Sequence, residues 1–263
     1  MIEFRAVDKS FNDEAVLRQV SFRIGPGETK IIVGASGSGK STILKLILGL
    51  IRPDSGQILV EGRDITRLEE EEMVSVRRRI GMVFQEGALF DSLSVRENVG
   101  YRFFEEGALE EDAIEREVLR LLGVVGLEEA IDKMPAELSG GMKRRVGIAR
   151  ALAGSPRIVL YDEPTAGLDP ITKRTIVELM IQLRDLEGVT SVFVTHDLPA
   201  ATTIAAECAA LDEGGRVRFN RQGDARRLLD ISFILLEDGA VCFEGNYQQL
   251  MASRIPYVRR FVD

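Results

Sequence analysis

An α/β architecture is the fold class that this sequence predicts, and three observations predict it. Short apolar runs rich in β-branched residues alternate with stretches of helical periodicity, and turn residues punctuate the joins. Several of those runs are apolar on both faces, as strands covered by helices on either side must be. The block from 86 to 138 is charge-rich, mostly helical in pattern and without a convincing strand. The expected form is a mixed β-sheet flanked by helices, with an inserted helical subdomain and an antiparallel β edge.

At roughly 100–200 residues per domain, the length allows one large domain or one domain with a small appendage. Hydrophobic residues make up 45% of the 263 residues and charged residues 29%, a globular mixture that excludes disorder, collagen and coiled coil as the main architecture. A net charge of -8 and a pI near 5.0 offer no global attraction for nucleic acid or an anionic membrane surface. No nucleic-acid partner is expected, and any membrane role must come through another protein.

The first ten residues, MIEFRAVDKS, carry charge from the third onward and hold no long apolar stretch, so no secretory signal is expected. Strands are predicted at 2–7, 20–24 and 29–33, then a helix at 41–50. Its greasiest part, 43–51, is about half the length needed to span a bilayer and contains Lys45, so it reads as a buried helix and the chain as cytosolic. Further strands are expected at 57–60, 79–84, 157–161, 190–194 and 233–236, with helices at 110–122, 141–153 and 170–186. Cys208 and Cys242 lie far apart without metal-ligand spacing and read as reduced thiols in the core or near the surface.

The strongest chemical signal stands between the third strand and the first helix. Gly34, Ala35, Ser36, Gly37, Ser38, Gly39, Lys40 and Ser41 spell GASGSGKS, the Walker A pattern in the strand-to-helix context it requires. Its glycines let the backbone wrap a triphosphate, and N–H groups at the helix start, through Thr42, meet the negative charge. Lys40 is expected to reach the β- and γ-phosphates and the Ser41 hydroxyl to coordinate Mg²⁺. The core is thus expected to be that of a P-loop NTPase with ATP and Mg²⁺ as cofactors. Downstream, RIVLYDE at 157–163 is an apolar strand ending in two carboxylates. Asp162 is placed to hold the metal through water, and Glu163 to act as general base on the attacking water.

Residues 138–142 read LSGGM and lead into a helical run. With the two Walker motifs they make the chain resemble the nucleotide-binding subunit of an ABC transporter, over nearly its whole length. The resemblance implies that Ser139, Gly140 and Gly141, at a helix N-terminus, bind the γ-phosphate held by the Walker A loop of a second copy. Two chains would then sandwich two ATP molecules head to tail. It further implies that Gln85 senses the metal and water, that Asp169 of AGLD (166–169) forms the D-loop, that His196 contacts the γ-phosphate, and that Phe11 stacks on adenine. Met142 departs from the commoner Gln of the signature without touching the Ser and Gly residues that carry its role.

The stretch EGALFDSLSVRENVGY after Gln85, the Met after LSGG and DPIT at 169–172 resemble the ATPases of Mla/Mce-type lipid transporters. That implies a phospholipid or related hydrophobic substrate and integral membrane permease subunits, with Mce-type substrate-binding proteins among the partners. It also implies a peripheral location on the cytoplasmic face of the inner membrane. The alternative is an ABC ATPase of another import or export system, or a non-transport ABC ATPase. Leu89, Phe90 and Leu93 are the expected anchors for a short permease helix. The whole chain reads as a single nucleotide-binding domain: 1–85 and 157–250 a RecA-like core with its β subdomain, 86–156 the helical subdomain with the signature loop. Residues 251–263 form a tail that, in the resembling ATPases, extends toward the partner subunit. The basic runs 77–79 and 143–145 read as solvated helix faces. A hairpin-like unit occurs twice, LDEGGRVRF at 211–219 and LEDGAVCF at 236–243, each followed by a polar helix-like stretch near 224–230 and 247–252. The second is assigned to the core sheet, the first to an exposed extra hairpin at its edge.

Overall fold

The computed structural model describes residues 1–107, 109–220 and 230–262. Its centre is a six-stranded sheet of β3 (Thr29–Gly34), β6 (Ile80–Val83), β7 (Ile158–Asp162), β8 (Thr190–Thr195), β11 (Ile231–Glu237) and β12 (Ala240–Gly245). The spatial order is β12-β11-β3-β8-β7-β6. Five strands run parallel, and β12 closes the edge antiparallel to β11. Alternate residues feed two cores. Ile31, Val33, Tyr161, Phe193, Phe233 and Leu235 face one layer, while Ile32, Leu160, Val192, Val194, Ile234 and Leu236 face the other. This is why these strands are apolar on both faces. Tyr161 and Phe193 stack across β7 and β8 at 4.2 Å between ring centroids.

The first layer holds α3 (Val95–Glu106), α4 (Glu111–Val124), α5 (Gly140–Leu152), α6 (Pro170–Glu187) and α7 (Leu198–Ala206). Ser94 and Glu97 form a capping box at the start of α3, and Asp169 caps α6 by accepting from the N–H groups of Ile171 and Thr172. The second layer holds α1 (Lys40–Ile47), α2 (Glu70–Arg77) and an antiparallel sheet. Its strands are β1 (Ile2–Phe11), β2 (Glu14–Ile24), β4 (Ser55–Val60) and β5 (Arg63–Asp64), ordered β2-β1-β4-β5.

The repeated hairpin divides as assigned. Its second copy supplies β11 and β12 of the central sheet. The first, β9 (Cys208–Leu211) with β10 (Val217–Asn220), forms a separate two-stranded sheet. One correction is needed: this copy does not hydrogen-bond to the main sheet's edge, and its start is buried. The Ala209 N–H donates to Asp185 of α6 at 2.7 Å, with Cys208 and Ala209 enclosed. The polar stretch expected after it falls largely outside the described residues, while the one after the second copy is α8 (Tyr247–Ala252). The tail forms α9 (Pro256–Val262), whose Val258 is fully buried in this chain's own core.

Candidate active site

Parallel strands bring three loops to one edge. Val33 pairs with Thr195 and Asp162 with Val194, so the chain leaves β3, β7 and β8 side by side at their C-terminal ends, where such sheets bind ligands. The Walker A loop closes onto α1 through Gly39, at φ 96°. A Cβ there would stand 2.6 Å from Leu17 Cδ2 and 2.9 Å from the Val16 carbonyl, so only glycine fits. Lys40, 7% exposed, donates to the carbonyls of Gly34 and Ala35, each at 2.9 Å. Its Nζ lies 3.8 Å from Glu163 Oε1. Burial pushes the Lys40 ammonium below its usual pKa, against the pull of Glu163 and Asp162.

Ser41 Oγ donates to Asp162 Oδ1 at 2.9 Å. Burial raises the Asp162 carboxyl above the ordinary carboxylate range, with Glu163 adding repulsion and the Ser41 hydroxyl opposing the rise. A hydroxyl and a desolvated carboxylate form a hard oxygen donor pair of the kind Mg²⁺ takes. Glu163 holds φ at 46°, a left-handed conformation that costs a non-glycine residue energy and recurs at functional sites. Its Oε2 accepts from the His196 backbone N–H at 3.2 Å and stands 3.0 Å from His196 Nδ1.

A cavity of about 550 Å³ is lined by Ser36, Gly37, Gly39, Lys40, Ser41, Thr42, Gln85, Glu163 and His196, with Val16 beside them. Val16 carries no motif signal; only the approach of β2 to the loop reveals it. Phe11, at the end of β1, is exposed and lies outside this lining, with Lys9 Nζ 5.3 Å from its ring centroid. The signature residues are elsewhere. Ser139 caps α5 by accepting from the Met142 N–H at 3.2 Å, and Gly140 lines a second cavity with Ala166, Gly167 and Leu168 that shares only Gln85 with the first. One chain therefore gathers Walker residues, Gln85 and His196 around one cavity, while Ser139, Gly140, Gly141 and Asp169 lie outside its lining.

The expectation for the basic run 143–145 is corrected. Arg144 is 4% exposed and donates to the carbonyls of Glu163, Pro164 and Ala166. Arg145 donates to those of Val125 and Gly126. Charge runs read as solvated faces from sequence because a buried guanidinium needs carbonyls that only the fold assembles. Of the expected permease anchors, Leu89 packs on the main core, and neither it nor Leu93 lines the nearby groove. Phe90 does, beside Phe84 and Tyr101.

Over residues 17–166 the chain matches the family model described as ABC transporter. It belongs to the ABC transporter family. The intermembrane phospholipid transport system ATP-binding protein MlaF of Escherichia coli K12 is 36% identical over 263 residues, covering all of this chain and 88% of that one. The methionine import ATP-binding protein MetN of Carboxydothermus hydrogenoformans is 44% identical over 195 residues, 74% of this chain but 58% of that protein's length. Among solved structures, the dimeric ATP-binding cassette MJ0796 bound to ADP and Pi superposes with a TM-score of 0.76 at 33% identity, covering 94% of this chain and 98% of the other. The expected ABC ATPase and its P-loop core are thus borne out. As in other members of the family, this subunit binds and hydrolyses ATP on behalf of a membrane transporter, and no helix among the described residues is long and apolar enough to cross a membrane.

Proposed function

We propose that the cavity around Lys40 and Glu163 hydrolyses the β–γ bond of ATP in a head-to-tail dimer and that the stroke drives phospholipid transport by a permease. The single observation that carries the catalytic reading is the convergence of Lys40, Glu163 and His196 from the ends of three parallel strands onto one cavity, with Asp162 bonded to its Ser41. The Walker A backbone from Gly34 through Thr42 receives the phosphates. Lys40, in exchange for the Gly34 and Ala35 carbonyls, takes the β- and γ-oxygens. Ser41 and Asp162, with Gln85, would hold Mg²⁺, which supplies charge neutralisation along the phosphates. Glu163 orients the water and accepts its proton, and His196, hydrogen-bonded to that carboxylate, senses the γ-phosphate. Phe11 offers a ring to adenine.

Ser139, Gly140, Gly141 and Asp169 then serve the nucleotide of the second copy, which accounts for their standing outside the lining of the Walker cavity. Residues 1–85 with 157–250, and 86–156, act as the RecA-like core and the helical subdomain, with 251–263 as the tail. The phospholipid assignment is supported by MlaF, matched over its near-full length, and favours Mce-type substrate-binding proteins and a peripheral position on the cytoplasmic face of the inner membrane. The identity to MetN supports amino-acid import as the second reading.

The permease contact is the groove of Phe84, Phe90 and Tyr101, where the Phe90 and Tyr101 rings lie 4.7 Å apart and Arg150 stands over Phe90. Glu163→Gln is expected to bind ATP, accumulate as an ATP-loaded dimer on size exclusion and lose turnover by roughly 10²–10⁴-fold, because the amide keeps shape and loses the base. A near-normal rate would end the assignment. Mass spectrometry of lipid retained by the intact transporter decides the cargo: bound phospholipid supports the main reading, and methionine-stimulated ATPase without lipid supports the second.

A further inference from the structure

α5 does more than present the signature loop at its first turn. Four residues beyond Gly140, its Arg144 turns inward and donates to three consecutive-region carbonyls: Glu163 at 3.2 Å, Pro164 at 2.6 Å and Ala166 at 3.2 Å. These are main-chain oxygens of Glu163, the residue that carries the catalytic carboxylate, and of the turn leading to the D-loop. Among the described residues the buried Nε of Arg144 has no partner, so the guanidinium spends all its bonds on that one segment. Farther along, Arg150 donates to the carbonyls of Gly87 and Ala88, both at 2.9 Å. Between them Gly147 packs so closely that a Cβ there would stand 3.0 Å from Gly87 Cα. One helix is therefore bonded to the catalytic turn, to the loop after Gln85 and, through Ser139 at its cap, to the signature loop.

We propose that Arg144 is a positioning residue that ties Glu163 to the signature helix of the same chain, so that the nucleotide captured by a chain's signature loop controls hydrolysis at that chain's own site. The inference rests on the head-to-tail dimer proposed above. In that arrangement the signature loop of one chain touches the ATP held by its partner, while its Glu163 serves its own ATP. A shift of α5 reaches Glu163 through carbonyls 163, 164 and 166, a segment already held at an unfavourable φ and free to relax only if the guanidinium releases it. Burying a guanidinium is costly, and three carbonyl partners on one short turn are what offset it. Lysine, a point charge on a flexible stem, cannot hold three carbonyls in a fixed fan.

The test compares full-length wild type with Arg144→Lys and Arg144→Gln, measuring ATPase rate against ATP concentration, single-chain affinity for a fluorescent ATP analogue, and melting temperature. The expected result is a Hill coefficient falling toward about 1 and a kcat reduced roughly 10- to 100-fold, with single-chain nucleotide affinity unchanged. Both variants lose the coupling, because geometry rather than charge carries it. A lower melting temperature with cooperativity retained makes Arg144 a stabilising residue only and overturns the proposal. Full rescue by lysine overturns it too. Glu163→Gln, with Arg144 intact, is run in parallel: absence of an ATP-dependent dimer there removes the sandwich reading and the coupling with it, whereas a dimer accompanied by unchanged cooperativity in the Arg144 variants removes the coupling alone.

Discussion

Asp162 sits where the protein resists a negative charge. Burial, with Glu163 adjacent, raises its pKa, and the Ser41 hydroxyl offsets this only in part. The sign follows from proton binding: a carboxyl with a raised folded-state pKa binds protons more tightly folded than unfolded. Its contribution to stability is therefore best at low pH and is lost as pH climbs from the unfolded value of 3.8 through the folded one. Asp162→Asn keeps an acceptor for Ser41 and removes the charge. At pH 7 it is expected to melt a few degrees above wild type while losing Mg²⁺-dependent turnover, and the gap in melting temperature should close toward pH 3.8. Paired thermal melts across that range check it, and a lower melting temperature for the variant at pH 7 would contradict the electrostatic account. The same scale exposes the limit of residue patterns. Lys40, Ser41, Asp162, Glu163 and His196 are legible because each sits in a motif with a fixed offset from a strand. Val16 and Arg144 are not, because one acts by backbone approach and the other by carbonyls brought together from another element.

At the scale of elements, α9 touches the nucleotide loop of its own chain. Tyr257 Oη donates to the Leu236 carbonyl at 3.0 Å and accepts from the Ala35 N–H at 3.4 Å, while Lys40 occupies the neighbouring carbonyls of Gly34 and Ala35. When Lys40 turns to phosphate, Tyr257 remains the side chain holding that peptide. Tyr257→Phe deletes one hydroxyl and is expected to raise the KM for ATP by about 2- to 5-fold with little change in kcat or melting temperature; steady-state kinetics decide it, and an unchanged KM refutes it. The groove beside α3 makes a second prediction. Phe90→Asp places a charge against the Tyr101 ring on an exposed surface, so the chain should keep its melting temperature and circular dichroism spectrum while failing to co-purify with the permease.

Across the whole molecule, two cores share one sheet, and the nucleotide loops lie where its strands end. Ligand that binds only the folded state must stabilise the whole unit: at 100-fold excess over the dissociation constant the gain is about 2.7 kcal/mol, or roughly 5–10 °C in melting temperature for a chain near this size. Glu163→Gln with Mg²⁺ and ATP should show that rise in differential scanning fluorimetry, growing with protein concentration because dimerisation adds to it, and Lys40→Ala should show little of it. By itself the sequence determined the α/β class, the position of most central strands along the chain and the chemistry of the Walker, signature and switch motifs. Each of these depends on short-range physics: apolar periodicity, glycine at a backbone that must curl, and carboxylates at a strand's end. The choice of β11 over β9 for the central sheet was legible as well, since both hairpins have turn chemistry but only Phe233, Ile234 and Leu235, against Ala209, Ala210 and Leu211, are apolar enough to be covered on two faces. Only the tertiary structure decided that the first hairpin stands apart from the sheet's edge and bonds to α6. It alone decided, too, that Arg144 faces carbonyls instead of water and that α9 folds back onto Ala35, because a contact between residues 222 positions apart is set by how layers pack and leaves no periodic trace along the chain.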